Sequence, residues 1–260
     1  MKGRAIRLIA GSVLRESLRR REIYVLVLVA CGLIAMILGF DFFGIGGLTK
    51  FYREASLKVM GWTTAFAVIV LATRQLPREM ENRTIYPLLA RPIRRVDFLL
   101  GKLVGVLLAG LFCFALFMLI FLLGSLRIQA TVPWGLFLQH IYLQLAMLAI
   151  LSTLGFLLSL VVHTDAAITI CVLLYALSAV LATVLVHLYA YMGAVGRVML
   201  HILTYAVPQL TLFDLSAKAV HAEAWSPLSW QVMVSLTVYA VVYTGVYFAG
   251  ALVLFRRRAL

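Results

Sequence analysis

The chain has 260 residues, of which 64% are hydrophobic and 13% are charged, and its mean hydropathy is +1.04. Soluble domains are about half apolar and about a quarter charged, so this composition excludes a soluble globular protein and predicts an all-α polytopic membrane protein. The 23 lysines and arginines exceed the 10 acidic residues and give a net charge of +13, an excess that membrane proteins place mainly on the cytoplasmic side.

The N-terminal stretch, residues 4 to 20, has the period of an amphipathic helix. Its apolar positions share one face and its arginines the opposite one, with Leu8 as the exception on the basic face: Ile6, Ile9, Ala10 and Val13 against Arg4, Arg7, Arg15 and Arg19. We expect such a helix to lie in the headgroup layer with its apolar side towards the lipid. The alternative is a basic signal that sets topology and has no other role.

Six apolar stretches are long enough to cross a hydrocarbon core of roughly 30 Å, which takes about 20 helical residues. They lie near residues 23 to 40, 57 to 74, 99 to 124, 136 to 162, 167 to 190 and 231 to 255. A further run from Val195 to Val207 is short, contains Arg197 and His201, and stops at Pro208. Runs of that length are typical of re-entrant or interfacial segments, so we predict such a segment within residues 191 to 230. The whole chain is then a single transmembrane domain.

Basic residues in the connections predict the orientation. Seventeen lie at the N-terminus, around the connection after the second span and at the C-terminus, whereas six lie in the remaining connections. Because both termini fall on the rich side, the number of crossings must be even. We therefore predict six spans in a bacterial inner membrane with both termini in the cytoplasm.

The connection over residues 75 to 98 is the only long polar insertion on the inner side. Glu79 and Arg83 stand four residues apart, a spacing that permits an ion pair on one helical face. Leu88 and Leu89 are apolar residues among charges, too few to insert into the membrane, and are typical of a docking element for a soluble partner. The alternative is that the basic residues here hold anionic lipid.

Residues around this connection resemble the membrane subunit of type-2 ABC exporters, in particular the six-span branch associated with multicopper enzyme maturation. The matching positions are Glu79 or Glu81, Thr84, Leu88, Leu89, Pro92, Arg95, Gly101 and Lys102, with Arg83 where many members have glycine. A second similarity is Pro208 followed by Phe213 and Asp214 before the last span. The architecture is similar over nearly the whole chain, and the motifs cover these two stretches.

The resemblance implies a permease without its own ATPase site, working as a homodimer or related heterodimer with two ABC ATPase subunits. The connection over 75 to 98 would serve as a coupling helix, with Glu79, Glu81, Arg83, Thr84, Leu88, Leu89, Pro92 and Arg95 at the contact and with Gly101 and Lys102 anchoring the third span at the lipid surface. No cofactor is expected on this chain, and ATP and Mg²⁺ would bind the partner ATPase. The expected activity is outward transport of an amphipathic or lipid-like substrate.

Enzymatic and metal chemistry finds little support in the sequence. The chain has no GxxxxGK[ST] motif, no HExxH and no acidic residue in the middle of a predicted span. Its three cysteines, Cys31, Cys113 and Cys171, form no CxxC pair, and its methionines are scattered, so we predict neither a metal site nor a copper path. An intramembrane enzyme and a stand-alone membrane scaffold remain the alternatives to a transporter, and neither catalytic residues nor a nucleic-acid partner is predicted.

Two polar pairs within the spans are candidates for a substrate path. His140 with Gln144, and Thr183 with His187, are each four residues apart and so share a helical face. The alternative is that these groups hydrogen-bond one another or a neighbouring helix. Finally, Gly101 with Gly105 forms a GxxxG pattern that permits close helix packing.

Overall fold

The computed structural model describes residues 2–19, 21–39, 44–81, 94–127, 134–187, 189–216, 218 and 226–257. All regular secondary structure in these ranges is helical. The helices are α1 (Lys2–Leu18), α2 (Arg21–Gly39), α3 (Gly44–Glu81), α4 (Arg95–Arg127), α5 (Trp134–Val161), α6 (Thr164–His187), α7 (Ala194–Ala206) and α8 (Trp230–Arg257). Two short 3₁₀ turns, Tyr189–Tyr191 and Leu210–Phe213, flank α7.

Five helices in the described ranges are long and apolar enough to cross a membrane, namely α3, α4, α5, α6 and α8. Their bounds agree with five predicted spans to within a few residues, except that α3 is much longer than expected. It has 38 residues, about 57 Å at 1.5 Å per residue, and continues through Pro77 to Glu81. Residues 75–81, which we assigned to the inner connection, therefore belong to this helix. The remaining predicted span corresponds to α2, a helix of 19 residues.

The helices form a bundle in which α3 and α5 are central. Their apolar windows are 61% and 67% buried, whereas those of α6 and α8 are 17% buried. Helix α3 contacts α2, α4, α5 and α6, and α5 also packs along α8. Many apolar side chains on the outside of α6 and α8 are exposed and are suited to lipid.

The segment before α8 agrees with the expected non-spanning character. Helix α7 has 13 residues, about 20 Å, which is shorter than the hydrocarbon core, and it ends at Ala206, two residues before Pro208. The chain after it then turns inward, because Leu210, Phe213 and Leu215 are buried.

One end of the bundle carries most of the described basic side chains, and we call it the basic end. It is formed by the N-terminal part of α1, the C-terminal end of α3, the N-terminal end of α4 and the C-terminal end of α8. Its exposed arginines are Arg4, Arg7, Arg78, Arg94, Arg256 and Arg257.

Candidate functional site

A buried polar cluster joins α3 to α4 at the basic end. Lys102, 3% exposed, donates hydrogen bonds to Oε1 of Glu79 and, over 3.1 Å, to Oε1 of Gln75. Its Nζ also lies 5.8 Å from the centroid of the Phe98 ring, a cation–π distance. Glu79 and Gln75 are one helical turn apart, so both reach the same lysine. The cluster links the two helices on either side of residues 82–93.

This position of Lys102 differs from the expected one. We predicted a side chain at the lipid surface, and the structure buries it between two helices. The reason is the length of α3, which extends past the expected membrane boundary and places two polar side chains opposite the lysine. A buried cation that lacks a partner is strongly unfavourable, and Glu79 provides the compensating charge.

Helix α1 packs along α4 at the two glycines of the GxxxG pattern. A Cβ atom on Gly101 would lie 2.9 Å from Cβ of Ile9, and one on Gly105 would lie 2.5 Å from Cβ of Val13. Both distances are too short for real Cβ atoms, so glycine is what permits this approach. The close packing predicted from GxxxG is present, with α1 as the partner helix.

The apolar face of α1 therefore has a different neighbour from the one we predicted. Ile9, Ala10 and Val13 are buried against protein, whereas we expected this face to point into lipid. The arginines of α1 remain exposed on the other side, and Leu8 is 66% exposed among them. Helix α1 is thus attached to the same stretch of α4 that contains Lys102.

The last helix reaches this cluster as well. Nη1 of Arg95 donates a hydrogen bond over 3.0 Å to the carbonyl oxygen of Arg256, and the rings of Phe98 and Phe255 stack with centroids 5.9 Å apart. The start of α4 is therefore held by α1, by the end of α3 and by the end of α8.

Several predicted contact residues lie outside the described residues. These are Arg83, Thr84, Leu88, Leu89 and Pro92, all within residues 82–93. Glu81 is the final residue of α3. The expected ion pair between Glu79 and Arg83 also falls partly outside the described residues, and Glu79 forms an ion pair with Lys102 instead.

The first polar pair, His140 and Gln144, points into the bundle. Nδ1 of His140 accepts a hydrogen bond over 3.3 Å from the backbone N–H of Leu215, and Nε2 of Gln144 lies 3.4 Å from the carbonyl oxygen of Gly61. Both side chains are buried. They connect α5 to the inward-turning segment and to α3, as the alternative of hydrogen bonds to neighbouring elements expects, and Nε2 of His140 is buried without a hydrogen-bond partner among the described residues.

The second pair, Thr183 and His187, is on the outside of α6. The Thr183 hydroxyl donates to the carbonyl oxygen of Ala179 over 3.0 Å, and Nδ1 of His187 lies 3.1 Å from the carbonyl oxygen of Thr183. Both side chains are exposed, so the two predicted polar pairs do not meet in one path.

Three side chains hold the segment from Gln209 to Leu215, and sequence reasoning identified only His140 among them. The hydroxyl of Tyr239 accepts the backbone N–H of Gln209 over 2.8 Å, and that of Ser178 accepts the N–H of Thr211 over 3.1 Å. Non-helical backbone is tolerated next to lipid only when protein satisfies its polar groups, and these hydroxyls do so. Of the family-like positions here, Pro208 and Phe213 are buried, and Oδ1 of Asp214 accepts the N–H of Ser216.

Gln139 and Gln75 are two further polar residues that sequence reasoning missed. Gln139 donates to the carbonyl oxygen of Leu228 over 3.1 Å and accepts its N–H over 2.9 Å, which fixes the chain just before α8. Gln75 lies four residues before Glu79, so helical spacing was the signal that could have identified it. Within the described part of the chain, no group of three or more His, Cys, Asp or Glu residues could hold a metal ion.

Comparison with known proteins places these features in one family. The family described as "ABC-2 family transporter protein" matches residues 26–260, which include α3 to α8 and most of α2. None of the curated proteins compared with the chain matches it. Since the matched region covers most of the chain and its described part contains five helices able to span a membrane, the chain belongs to the ABC-2 family of transporter proteins and is a multi-pass permease subunit of an ABC transporter.

Proposed function

We propose that the chain is the permease of an ATP-driven exporter. It has six spans, which are α2 and the five candidate spans α3, α4, α5, α6 and α8. Helix α2 has 19 residues, nearly the length needed for a crossing. Consecutive spans then alternate in direction and bring both termini to the basic end, which the charge bias assigns to the cytoplasm. The bacterial inner membrane is the compartment that this reading supports, and the link to multicopper enzyme maturation rests on sequence resemblance alone.

The observation that carries the proposal is that the end of α3, the start of α4 and the end of α8 are joined at the basic end, with α1 packed on α4. ATP and Mg²⁺ bind a separate ABC ATPase, and two permeases work with two such subunits. Residues 82–93 contact the ATPase with Leu88 and Leu89 as apolar anchors, because buried anchors contribute most of the energy of an interface. Glu79 acts inside the permease through Lys102. A push on residues 82–93 then moves the ends of α3 and α4 together with α1, which is attached to α4.

The substrate we propose is amphipathic or lipid-like, and it moves outward. The described spans present broad apolar faces, and the buried polar pair His140 and Gln144 is already engaged by backbone groups. Of the two predicted polar pairs, Thr183 and His187 lie on an exposed face of a span, where they can meet the headgroup of such a substrate. An intramembrane enzyme would instead need a reactive group in the spans, and it predicts turnover by the purified chain alone.

Co-purification from native cells tests the association. A tagged chain should bring down an ABC ATPase, and absence of any nucleotide-binding subunit would overturn the exporter reading. The variant Leu88→Asp with Leu89→Asp should release the ATPase and abolish transport at a normal level of membrane protein. Leu8→Asp is the matched control, because Leu8 is an exposed leucine at the same end of the bundle. Normal transport by the double variant would place the coupling contact elsewhere in the chain.

A further inference from the structure

An apolar groove runs between α4, α5 and α8 on the outside of the bundle. Its volume is about 570 Å³, and nearly all of its lining is aliphatic or aromatic. Leu103 contributes from α4, Ala146 from α5, and Gly245 and Phe248 from α8. The stretch of α8 that lines it, residues 237 to 248, is about 17 Å long at 1.5 Å per residue, close to the depth of one leaflet of the hydrocarbon core. These dimensions suit an acyl chain.

Three residues describe the shape of the groove: Gly245 lies beside its open space, and Tyr142 with Thr237 bridges one of its ends. A Cβ atom on Gly245 would meet nothing within 4 Å, so the space next to this glycine is empty of protein atoms. At the end away from the basic end, the Tyr142 hydroxyl lies 2.9 Å from Oγ1 of Thr237, and this hydrogen bond joins α5 to α8 across the groove. The groove is therefore open beside Gly245 and bridged at its far end.

The other end of the groove leads towards arginines. Phe248 lies eight residues before Arg256 on α8, and Leu100 lies five residues after Arg95 on α4, which is about 12 Å and 8 Å along the helices. Arg95 and Arg256 are adjacent, because the first donates a hydrogen bond to the carbonyl of the second, and Arg257 is exposed beside them. The arginines thus lie within the length of one phospholipid from the groove.

We infer that this groove and the arginines Arg95, Arg256 and Arg257 form a binding site for one anionic phospholipid. Its phosphate pairs with the guanidinium groups, which recognise phosphate with two parallel hydrogen bonds, and one acyl chain enters the groove. The charge of the arginines argues for an anionic headgroup over a zwitterionic one, since each basic residue near a membrane surface adds to the attraction for anionic lipid. This assignment concerns a lipid held by the permease itself and does not depend on the transported substrate.

The test measures lipid retention by native mass spectrometry of the purified full chain. The delipidated protein is titrated with a phosphatidylglycerol and with a phosphatidylcholine of the same acyl chains. We expect the wild-type chain to hold one phosphatidylglycerol roughly tenfold more tightly than phosphatidylcholine, and Arg256→Gln with Arg257→Gln to remove most of this preference. Arg4→Gln with Arg7→Gln is the matched control, because it removes two exposed arginines from the part of α1 that precedes Ile9, which packs on Gly101 near the start of α4.

The groove is tested by filling it. Gly245→Leu should reduce retention of both lipids about tenfold, whereas Gly32→Leu, at an exposed position of α2 where a Cβ also meets open space, should leave it unchanged. Ala146→Leu fills the groove from α5 and repeats the test if the first variant is unstable. Equal retention by the wild type and both filled variants would overturn the proposal, as would equal affinity for the two lipids. A wild-type dimer that Gly245→Leu converts to monomers without a change in retained lipid would assign the groove to a second copy of the chain.

Discussion

Replacing Lys102 by methionine removes the cation from the buried pair with Glu79 and preserves most of the length of the side chain. Removal of one partner from a buried ion pair costs about 3 to 5 kcal/mol, because the other charge stays desolvated without it. The Glu79 side chain is 19% exposed and retains some contact with solvent, so we expect a loss of about 3 kcal/mol, at the lower end of that range.

A double-mutant cycle separates the pair from the packing around it. If Glu79→Gln is added to Lys102→Met, the buried charge is gone and much of the loss should be recovered, for a coupling energy of about 2 kcal/mol. The pair of Lys58 and Glu54 is the matched control, since its atoms are 2.5 Å apart but its side chains are 48% and 40% exposed. Exposed pairs four residues apart on a helix contribute about 0.3 to 0.5 kcal/mol, so its cycle should give no more than that.

The assay is reversible unfolding of the purified chain in mixed micelles, followed by circular dichroism as the denaturing detergent is increased. Each variant of the two cycles is measured under the same conditions, and the two coupling energies are compared. Equal coupling energies for the buried and the exposed pair would refute the reasoning. So would a loss below about 0.5 kcal/mol for Lys102→Met, since an ordinary surface substitution has an effect of that size.

Two further predictions concern contacts made elsewhere in the bundle. Gly105→Ala should loosen the packing of α1 and lower the protection of the α1 amides in hydrogen exchange. Gly11→Ala, where a Cβ meets open space, should leave this protection unchanged or slightly higher. Equal protection in both variants would contradict the close contact. His140→Leu leaves the buried N–H of Leu215 without its acceptor and should cost about 1 to 3 kcal/mol in the same unfolding assay, whereas Thr183→Val at an exposed position should change stability by less than about 0.5 kcal/mol. An effect of Thr183→Val as large as that of His140→Leu would refute the assignment of the histidine.

The spans were predictable from sequence because hydropathy is a local property. Five predicted spans correspond to α3, α4, α5, α6 and α8, and the short run before Pro208 is the short apolar helix α7 of 13 residues. Lipid offers no hydrogen-bond partners, so an apolar stretch that crosses the membrane must pair its own backbone groups by forming a helix. Length and composition therefore suffice to predict the spans. The resemblance to this family was based mainly on residues in and near the connection over 75 to 98, and the match over residues 26–260 confirms an ABC-2 permease.

The partners of the polar and small residues were decided by the tertiary structure. Sequence reasoning assigned Lys102 to the lipid surface and the apolar face of α1 to lipid, and both expectations are wrong because α3 and α4 supply protein neighbours there. It also missed Tyr239 and Ser178, because a hydroxyl in a span has no distinctive pattern until the segment it holds is placed beside it.

The sequence by itself determined which segments are apolar helices, and its lysines and arginines indicated which ends of these helices share one side of the membrane. Both properties depend on residues that are close together in the chain. Only the tertiary structure decided which helices touch. Gly101 and Gly105 mark a place where some helix can approach closely, yet nothing in their spacing names α1 as that helix. Glu79 and Lys102 are 23 residues apart, and their pairing exists because α3 and α4 end side by side and because a charge buried there requires its opposite.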